Sequence, residues 1–160
     1  MPDQIRRIDC FYLTVAGESG EAARVLAALQ GAGVNLLGIS VVPHGACISE
    51  LDLIPEMSGV LRKAAKSAGL KLTRMKTGFL IQDEHRPGAV AENANTLVEA
   101  NIRNISVEVF CAGSGHYGGM LWVGAPDLRR AAKALGATSG HKPKLGSNPE
   151  DYPSPFDEIC

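Results

Sequence analysis

Hydrophobic residues change their spacing at regular intervals along this chain, and each change marks a predicted strand or helix. Residues 8–15 are rich in β-branched and aromatic side chains, which predicts a strand. Apolar residues from Ala22 to Ala32 recur at steps of three and four, which predicts a helix. The same criteria predict two more strands, a helix opened by a proline and a short fourth strand over 34–42, 46–54, 55–68 and 70–75.

The same succession of patterns begins again in the second part of the chain. Strands are predicted over 79–83, 102–111 and 117–123, and helices over 89–101 and 126–135. A shift of 68 positions places Gly20 on Gly88 and Val34 on Ile102, with the helix between them in one register. Apolar periodicity alone does not easily align a turn glycine, a helix and the following strand. We therefore predict an internal duplication.

The chain after Thr138 differs from both copies, because it is polar, punctuated by prolines and without periodicity. We predict a first repeat, a second repeat and a proline-rich tail over 1–75, 76–137 and 138–160. Two interpretations of the tail stay open. It is either a segment without fixed packing, or an arm whose Tyr152, Phe156 and Ile159 dock on the first repeat or on a neighbouring subunit.

Each predicted copy places a glycine between its first strand and its first helix. This turn is Gly17 to Ala22 in the first copy and Asp83 to Val90 in the second. Backbone N–H groups at a glycine and at a helix start suit a small anion such as a carboxylate, because no side chain blocks their approach. The two turns are therefore candidate binding loops.

The second copy contains the sequence Arg86-Pro87-Gly88-Ala89-Val90, followed by Leu97 to Ile102. This stretch resembles the ACT domain, whose pattern is an Arg-Pro-Gly turn, a helix and a Gly-Val-Asn-Ile type start of the second strand. The first copy has a similar strand start, Ala32 to Leu36, but Ser19-Gly20 where the family favours Pro-Gly. The resemblance covers residues 8 to about 136. It implies an α+β fold with two ferredoxin-like βαββαβ repeats, each an antiparallel sheet with helices on one face.

ACT domains typically bind amino acids or other small ligands in regulatory roles, so the resemblance implies a small-ligand sensor without its own catalytic domain. In that family the ligand usually lies between the strand–helix loop of one unit and the start of the second strand of a neighbour. The ligand-binding residues implied here are His85, Arg86, Pro87, Gly88, Ala89, Gly20, Asn35, Leu36, Arg103 and Asn104. Backbone N–H groups around Gly88 suit a carboxylate, and an asparagine side chain suits an ammonium or amide.

Two departures from the family pattern make the two sites unequal. Arg103 stands where the family has asparagine, and it either holds a carboxylate by a bidentate contact or is a solvated charge. The first turn carries Glu18 and Glu21, whose negative charges do not suit an anion. We therefore expect the second turn to be the better ligand loop.

The resemblance also implies that the units associate, often through the edges of their sheets. In the last predicted strands, Phe110 and Trp122 lie opposite the apolar face. An exposed Trp and Phe would form an adhesive patch, so we expect their burial between repeats or between subunits. We predict a homo-oligomer, most simply a dimer, formed through sheet edges or faces, with a protein partner as a further possibility.

Composition adds only exclusions to this picture. The chain has 160 residues, 21% charged residues and a formal net charge of −1, which does not favour nucleic acid or an anionic membrane surface. No apolar run approaches the roughly 20 residues that cross a bilayer, and the N-terminus lacks the apolar core of a signal peptide. The scattered cysteines without CxxC spacing are typical of reduced thiols in a cytoplasmic protein.

Two binding motifs are weak in this sequence. Residues 113–118 satisfy the GxGxxG pattern, but a strand and not a helix is predicted after them, so no dinucleotide cofactor is expected. His44 near Cys47, and Cys111 near His116, supply too few converging ligands to predict a metal site.

Two alternatives to a ligand sensor stay open. The first is a structural or assembly module with a degenerate pocket that acts through its sheet edges and tail. The second is a small enzyme that uses His85 and Asp83 for acid–base chemistry. No nucleophile elbow, phosphate loop or second carboxylate cluster completes such a mechanism in the sequence, so a protein without catalytic activity is expected.

Overall fold

The structure is a computed structural model that describes residues 4–16, 20–43, 47–103, 105–111, 113 and 115–138. Six strands form one antiparallel sheet: β1 (Gln4–Ala16), β2 (Leu36–Pro43), β3 (Ile48–Pro55), β4 (Thr73–Glu84), β5 (Ile105–Cys111) and β6 (His116–Val123). The helices are α1 (Glu21–Gly31), α2 (Ser58–Ser67), α3 (Ala89–Glu99) and α4 (Leu128–Ala134), and a 3-10 turn, Ala125–Asp127, precedes α4. The prediction of an α+β fold with antiparallel strands is confirmed.

The strands lie in the order β2-β3-β1-β4-β6-β5, so the two parts of the chain meet in the middle of a single sheet. We call β1 to α2 the first half and β4 to α4 the second half. β1 and β4 are the longest strands, and they pair antiparallel over most of their length. Asp9 lies opposite Thr77, its equivalent after a shift of 68 positions. The strand pairing next to these two residues is therefore symmetric under that shift.

Two predicted elements differ from the observed ones. The end of the strand predicted over 70–75 and the whole strand predicted over 79–83 are parts of one continuous strand, β4. It pairs with β1 along most of its length and with β6 along its second part, whereas residues 70–72 lie outside it. The expected boundary after residue 75 lies inside β4, and the division into two repeats stays a prediction. The second helix begins at Ser58 and not at Pro55, because Pro55 is still the last residue of β3. The tail beyond residue 138 lies outside the described residues.

All four helices cover the same face of the sheet and bury two apolar clusters against it. The first-half cluster contains Phe11, Leu13, Val25, Leu29, Leu51, Leu53 and Leu61. The second-half cluster contains Ile5, Phe79, Ile81, Ala89, Leu97, Leu121 and Ala131. Full burial of one large apolar side chain stabilises a fold by about 1.5–3 kcal/mol, so these clusters explain why the helices stay on this face. None of the described helices is long and apolar enough to span a bilayer.

The other face of the sheet is concave, because the sheet curls until β2 approaches β6 across three intervening strands. A β-carbon added to Gly38 of β2 would lie 2.5 Å from the terminal methyl carbon of Met120 in β6. A third apolar cluster fills this face with Ile8, Cys10, Ile54, Leu80, Met120 and Trp122. Trp122 is 5% exposed and thus buried between the halves, whereas Phe110 on β5 is 63% exposed.

Candidate functional site

The predicted ligand loop of the second half is a tight turn between the end of β4 at Glu84 and the start of α3 at Ala89. Gly88 caps α3 with φ +90°, in the left-handed region that glycine adopts at little cost. The first turn of a helix leaves N–H groups without intrahelical partners, at the positive end of the helix dipole. The turn therefore presents the backbone donors that an anion requires.

Two residues of the turn, His85 and Arg86, form hydrogen bonds to the β5–β6 hairpin and to α3. Arg86 donates hydrogen bonds to both oxygens of Glu92 in α3, at 2.7 and 2.5 Å, and this contact lowers the pKa of the Glu92 carboxyl. The His85 N–H donates to the Gly115 carbonyl oxygen at 2.8 Å, which joins the turn to the β5–β6 hairpin. Ala89 is buried in the second-half cluster, so it offers only its backbone to a ligand. The stretch from His85 to Gly88, including Pro87, is exposed.

Three polar residues lie buried beneath this turn, on the helix-covered face of the sheet. Asp83 lies opposite Tyr117 in the β4–β6 ladder, and Asn93 of α3 donates to the Tyr117 hydroxyl oxygen and to the Ala89 carbonyl oxygen, both at 3.3 Å. Asp83 and Asn93 are each 9% exposed. Asp83 Oδ1 accepts the Glu84 N–H at 2.6 Å, but Oδ2 is buried and has no hydrogen-bond partner among the described residues. We call Asp83, Asn93 and Tyr117 the buried polar set.

In the first half, the helix cap is similar but the residues at the equivalent buried positions are different. Gly20 caps α1 with φ +102°, and Glu21 pairs with Arg24 at 3.1 Å on the surface of that helix. The positions equivalent to Asp83, Asn93 and Tyr117 hold Val15, Val25 and Ser49. Residues 17–19, which include the departures expected at Glu18 and Ser19, lie outside the described residues. Near the first turn these two positions are therefore valines, whereas near the second turn they are an aspartate and an asparagine.

Asn35 and Leu36, the predicted contacts from a neighbouring unit, lie where β2 begins. The Asn35 side-chain amide donates to Glu56 Oε2 at 2.8 Å, and the Glu56 N–H donates to the Asn35 carbonyl oxygen at 2.9 Å. Leu36 is half-buried against the first-half cluster. Both residues line an open groove of about 510 Å³ beside α1. They therefore lie at the surface, next to the edge of the sheet.

Arg103 and Asn104 belong to the opposite end of α3 from Gly88. This helix has 11 residues and is about 16 Å long. Arg103 is exposed beyond its C-terminal end, and Asn104 lies outside the described residues. Arg103 therefore does not reach the Gly88 turn within one chain.

The Gly88 turn and Asn35 do not meet within one chain either. The start of β2 pairs with the end of β3, which the ladders place at the level of Asp9 and Thr77 in the middle of the sheet. Glu84, just before the turn, lies about seven residues farther along β4, or about 23 Å at the usual rise per residue. A site that combines the turn with Asn35 must take one of the two from a second copy.

The remaining candidate chemistries are not brought together. Among the described residues, no three His, Cys, Asp or Glu side chains converge as metal ligands, and His44 lies outside them. The GxGxxG stretch joins β5 to β6, so a strand follows it, as predicted. Asp83 is buried whereas His85 is exposed, so the two residues considered for acid–base chemistry do not share one solvent-facing site.

The buried polar set was not predicted from the sequence, although a signal for it exists there. The 68-position shift places Asp83 on Val15 and Asn93 on Val25. Polar residues therefore replace apolar residues at two positions on the buried side of their elements. Such a replacement lowers the stability of the fold unless the buried polar groups form hydrogen bonds with the protein or with a ligand.

Comparison with known proteins supports the fold. No family model matches this sequence, and no curated protein matches it. Protein BT0572 from Bacteroides thetaiotaomicron is similar in structure, with a TM-score of 0.60 and 16% identity over 82% of this chain and 88% of that chain. The regulatory subunit of aspartate kinase from Thermus thermophilus has a TM-score of 0.56 and 14% identity over 84% of this chain and 94% of its own. Identities this low show the fold alone, and they support the ACT-type fold that the sequence resembles.

Proposed function

We propose that this chain is a regulatory protein of two ACT-type repeats that binds a small ligand, an amino acid, at the Gly88 turn. The observation that carries the proposal is the turn itself, where a left-handed glycine opens a helix above a buried carboxylate. The N–H groups of the turn suit the carboxylate of an amino acid. A regulatory role without catalysis agrees with the similar Thermus thermophilus protein, which is a regulatory subunit.

A second copy of the chain completes the site in this proposal. β2 and β5 are the edge strands, and they expose apolar side chains at equivalent positions, Ile39, Val41 and Val42 in β2 and Val107, Val109 and Phe110 in β5. Exposed apolar edges favour pairing with another chain. The ladders make β2 and β5 run in opposite directions, so β5 of one copy can pair antiparallel with β2 of another.

Such a pairing supports the role predicted for Asn35. Cys111 at the end of β5 pairs with Tyr117, which pairs with Asp83 just before the Gly88 turn. In an antiparallel pair, the start of β2 from the second copy lies beside the end of β5. The ligand then lies between the Gly88 turn of one copy and Asn35 with Leu36 of the other.

The experiment that tests the function is a panel of the common amino acids, added one at a time to the full chain in thermal unfolding and calorimetric titration. An amino acid at about 100 times its dissociation constant should stabilise the fold by about 2.7 kcal/mol, because it binds the folded state only. For a chain of this size that raises the Tm by about 5–10 °C. If no amino acid shifts the transition or releases heat, the proposed function is wrong.

An assembly module without a ligand is the second candidate, and the exposed apolar edges of β2 and β5 favour it. Both candidates predict a dimer, which sedimentation equilibrium of the full chain would measure. A dimer that no amino acid stabilises would select the assembly module. A monomer that still binds an amino acid would show that the ligand site is complete in one copy.

A further inference from the structure

The buried polar set lies next to the start of α3, where the proposed ligand binds. Asp83 lies where β4 ends, and its neighbour across the ladder, Tyr117, is bonded to Asn93 of α3. The Asn93 side-chain amide also donates a hydrogen bond to the Ala89 carbonyl oxygen in the first turn of α3. Asp83 thus lies in the sheet beside Tyr117, whose hydroxyl is hydrogen-bonded to Asn93 of the helix that offers N–H groups to an anion.

This arrangement is costly for folding and is not required by the turn. Asp83 Oδ2 is buried without a hydrogen-bond partner among the described residues, and such an oxygen loses its hydration without compensation. In the first half, Val15 and Val25 stand at the equivalent positions, and Gly20 still caps its helix in the same left-handed conformation. A left-handed glycine therefore caps a helix in this fold without a carboxylate at the position equivalent to 83, and a ligand that needs the carboxylate explains its presence.

We propose that Asp83 binds the ammonium group of an α-amino acid whose carboxylate lies on the N–H groups at the start of α3. The inference rests on the proposed function of the Gly88 turn. An α-amino acid carries both charges on one carbon, so it needs an acceptor and donors side by side, as the end of β4 and the start of α3 provide. Oδ2 is buried in this structure, so ligand access requires the groups that cover it to move aside. Asn93 and Tyr117 position the first turn of α3 over the carboxylate.

The test compares amino acids with carboxylic acids that lack the amino group, by calorimetric titration of the full chain. Each amino acid that stabilises the protein is paired with its analogue, for example L-alanine with propionate and L-leucine with 4-methylpentanoate. The wild type is expected to prefer the amino acid at least tenfold. Asp83→Asn is expected to weaken amino-acid binding at least tenfold and to leave the affinity for the analogue within twofold. Glu84→Gln, which neutralises the adjacent exposed carboxylate, is the matched control and is expected to change neither.

Unchanged amino-acid binding in Asp83→Asn, or equal affinity of the wild type for both members of each pair, would overturn the ammonium assignment and leave the proposed function intact. If no amino acid binds the wild type, the proposed function fails, and this assignment fails with it. Asp83→Val gives a second readout. Because valine is accepted at the equivalent position 15, this variant is expected to raise the Tm in buffer and to lose amino-acid binding, whereas a purely structural role for Asp83 predicts a lower Tm.

Discussion

Gly20 and Gly88 cap their helices in the same backbone conformation, but different side chains stand at the equivalent positions near them. Both glycines cap a helix in the left-handed conformation, with φ of +102° and +90°. Two valines lie at the positions below the first turn, and an aspartate and an asparagine lie below the second: Val15 and Val25 against Asp83 and Asn93. The left-handed glycine cap is thus common to both halves, whereas the buried polar side chains occur only in the second half, where we propose the ligand site. Because of those side chains, we propose the second turn and not the first as the ligand-binding turn.

The largest expected change in the free energy of unfolding comes from another pair of equivalent positions, on the concave face of the sheet. Cys10 and Gly78 are equivalent, and so are their neighbours Ile54 and Trp122. A β-carbon at Gly78 would overlap the Leu121 carbonyl oxygen and the Trp122 ring. Gly78→Cys, which makes the halves alike here, is expected to lower the free energy of unfolding by about 3 kcal/mol or more, because main-chain atoms cannot move aside cheaply. Guanidinium unfolding measures the loss.

Gly118 in β6 provides the control for that substitution. It is also a strand glycine, but a β-carbon built there has no other atom within 4 Å. Gly118→Cys is therefore expected to change the free energy of unfolding by about 0.5 kcal/mol or less. Equal stabilities of the Gly78→Cys and Gly118→Cys variants would show that the two halves do not differ in packing at Gly78.

A smaller effect on the free energy of unfolding is expected in the middle of the sheet, where Asp9 lies opposite Thr77. Asp9 accepts hydrogen bonds from the Thr77 hydroxyl at 2.7 Å, from Arg74 at 2.6 Å and from the Ser58 hydroxyl at 3.2 Å. Burial raises the pKa of Asp9, but these hydrogen bonds and the Arg74 charge outweigh it, so the pKa is lowered from its usual value. Ionised Asp9 therefore stabilises the fold above its unfolded-state pKa of about 3.9, and this stabilisation is lost as the pH falls through the folded-state pKa.

Asp9→Asn tests this pH dependence. At pH 7 the variant is expected to be less stable by about 1 kcal/mol, since the carboxylate is partly exposed and its charge-assisted hydrogen bonds are weakened by solvent. The difference should begin to shrink near pH 4, where the carboxylate of the unfolded chain becomes protonated, and should go on shrinking as the pH falls through the lowered folded-state pKa. Urea unfolding of both proteins between pH 7 and pH 3 measures it. A difference that stays constant over this range would contradict the role of the ionised carboxylate.

The order of strands and helices was predictable from residue spacing, because each helix keeps one apolar stripe for the sheet. The continuity of β4 was not, since Thr77 and Gly78 interrupt its apolar run and its partner, β1, is remote in sequence. The glycine turn was likewise predictable from local sequence. The buried polar set was not, because Asp83 and Tyr117 become neighbours only through the register of β4 and β6. The proposed pairing of β2 with β5 of a second copy concerns two chains, so the register within one chain does not test it.

The most direct test of the central claim, that the Gly88 turn and not the Gly20 turn binds the ligand, is amino-acid titration of Gly88→Ala beside Gly20→Ala. Both substitutions place alanine in the left-handed region and should cost about 1 kcal/mol of stability alike. The β-carbon added at Gly88 meets only Glu92 Oε1, at 3.9 Å, so it projects into the space from which a ligand approaches. The account predicts at least tenfold weaker binding in Gly88→Ala and wild-type affinity in Gly20→Ala. Equal affinity in the two variants would contradict it.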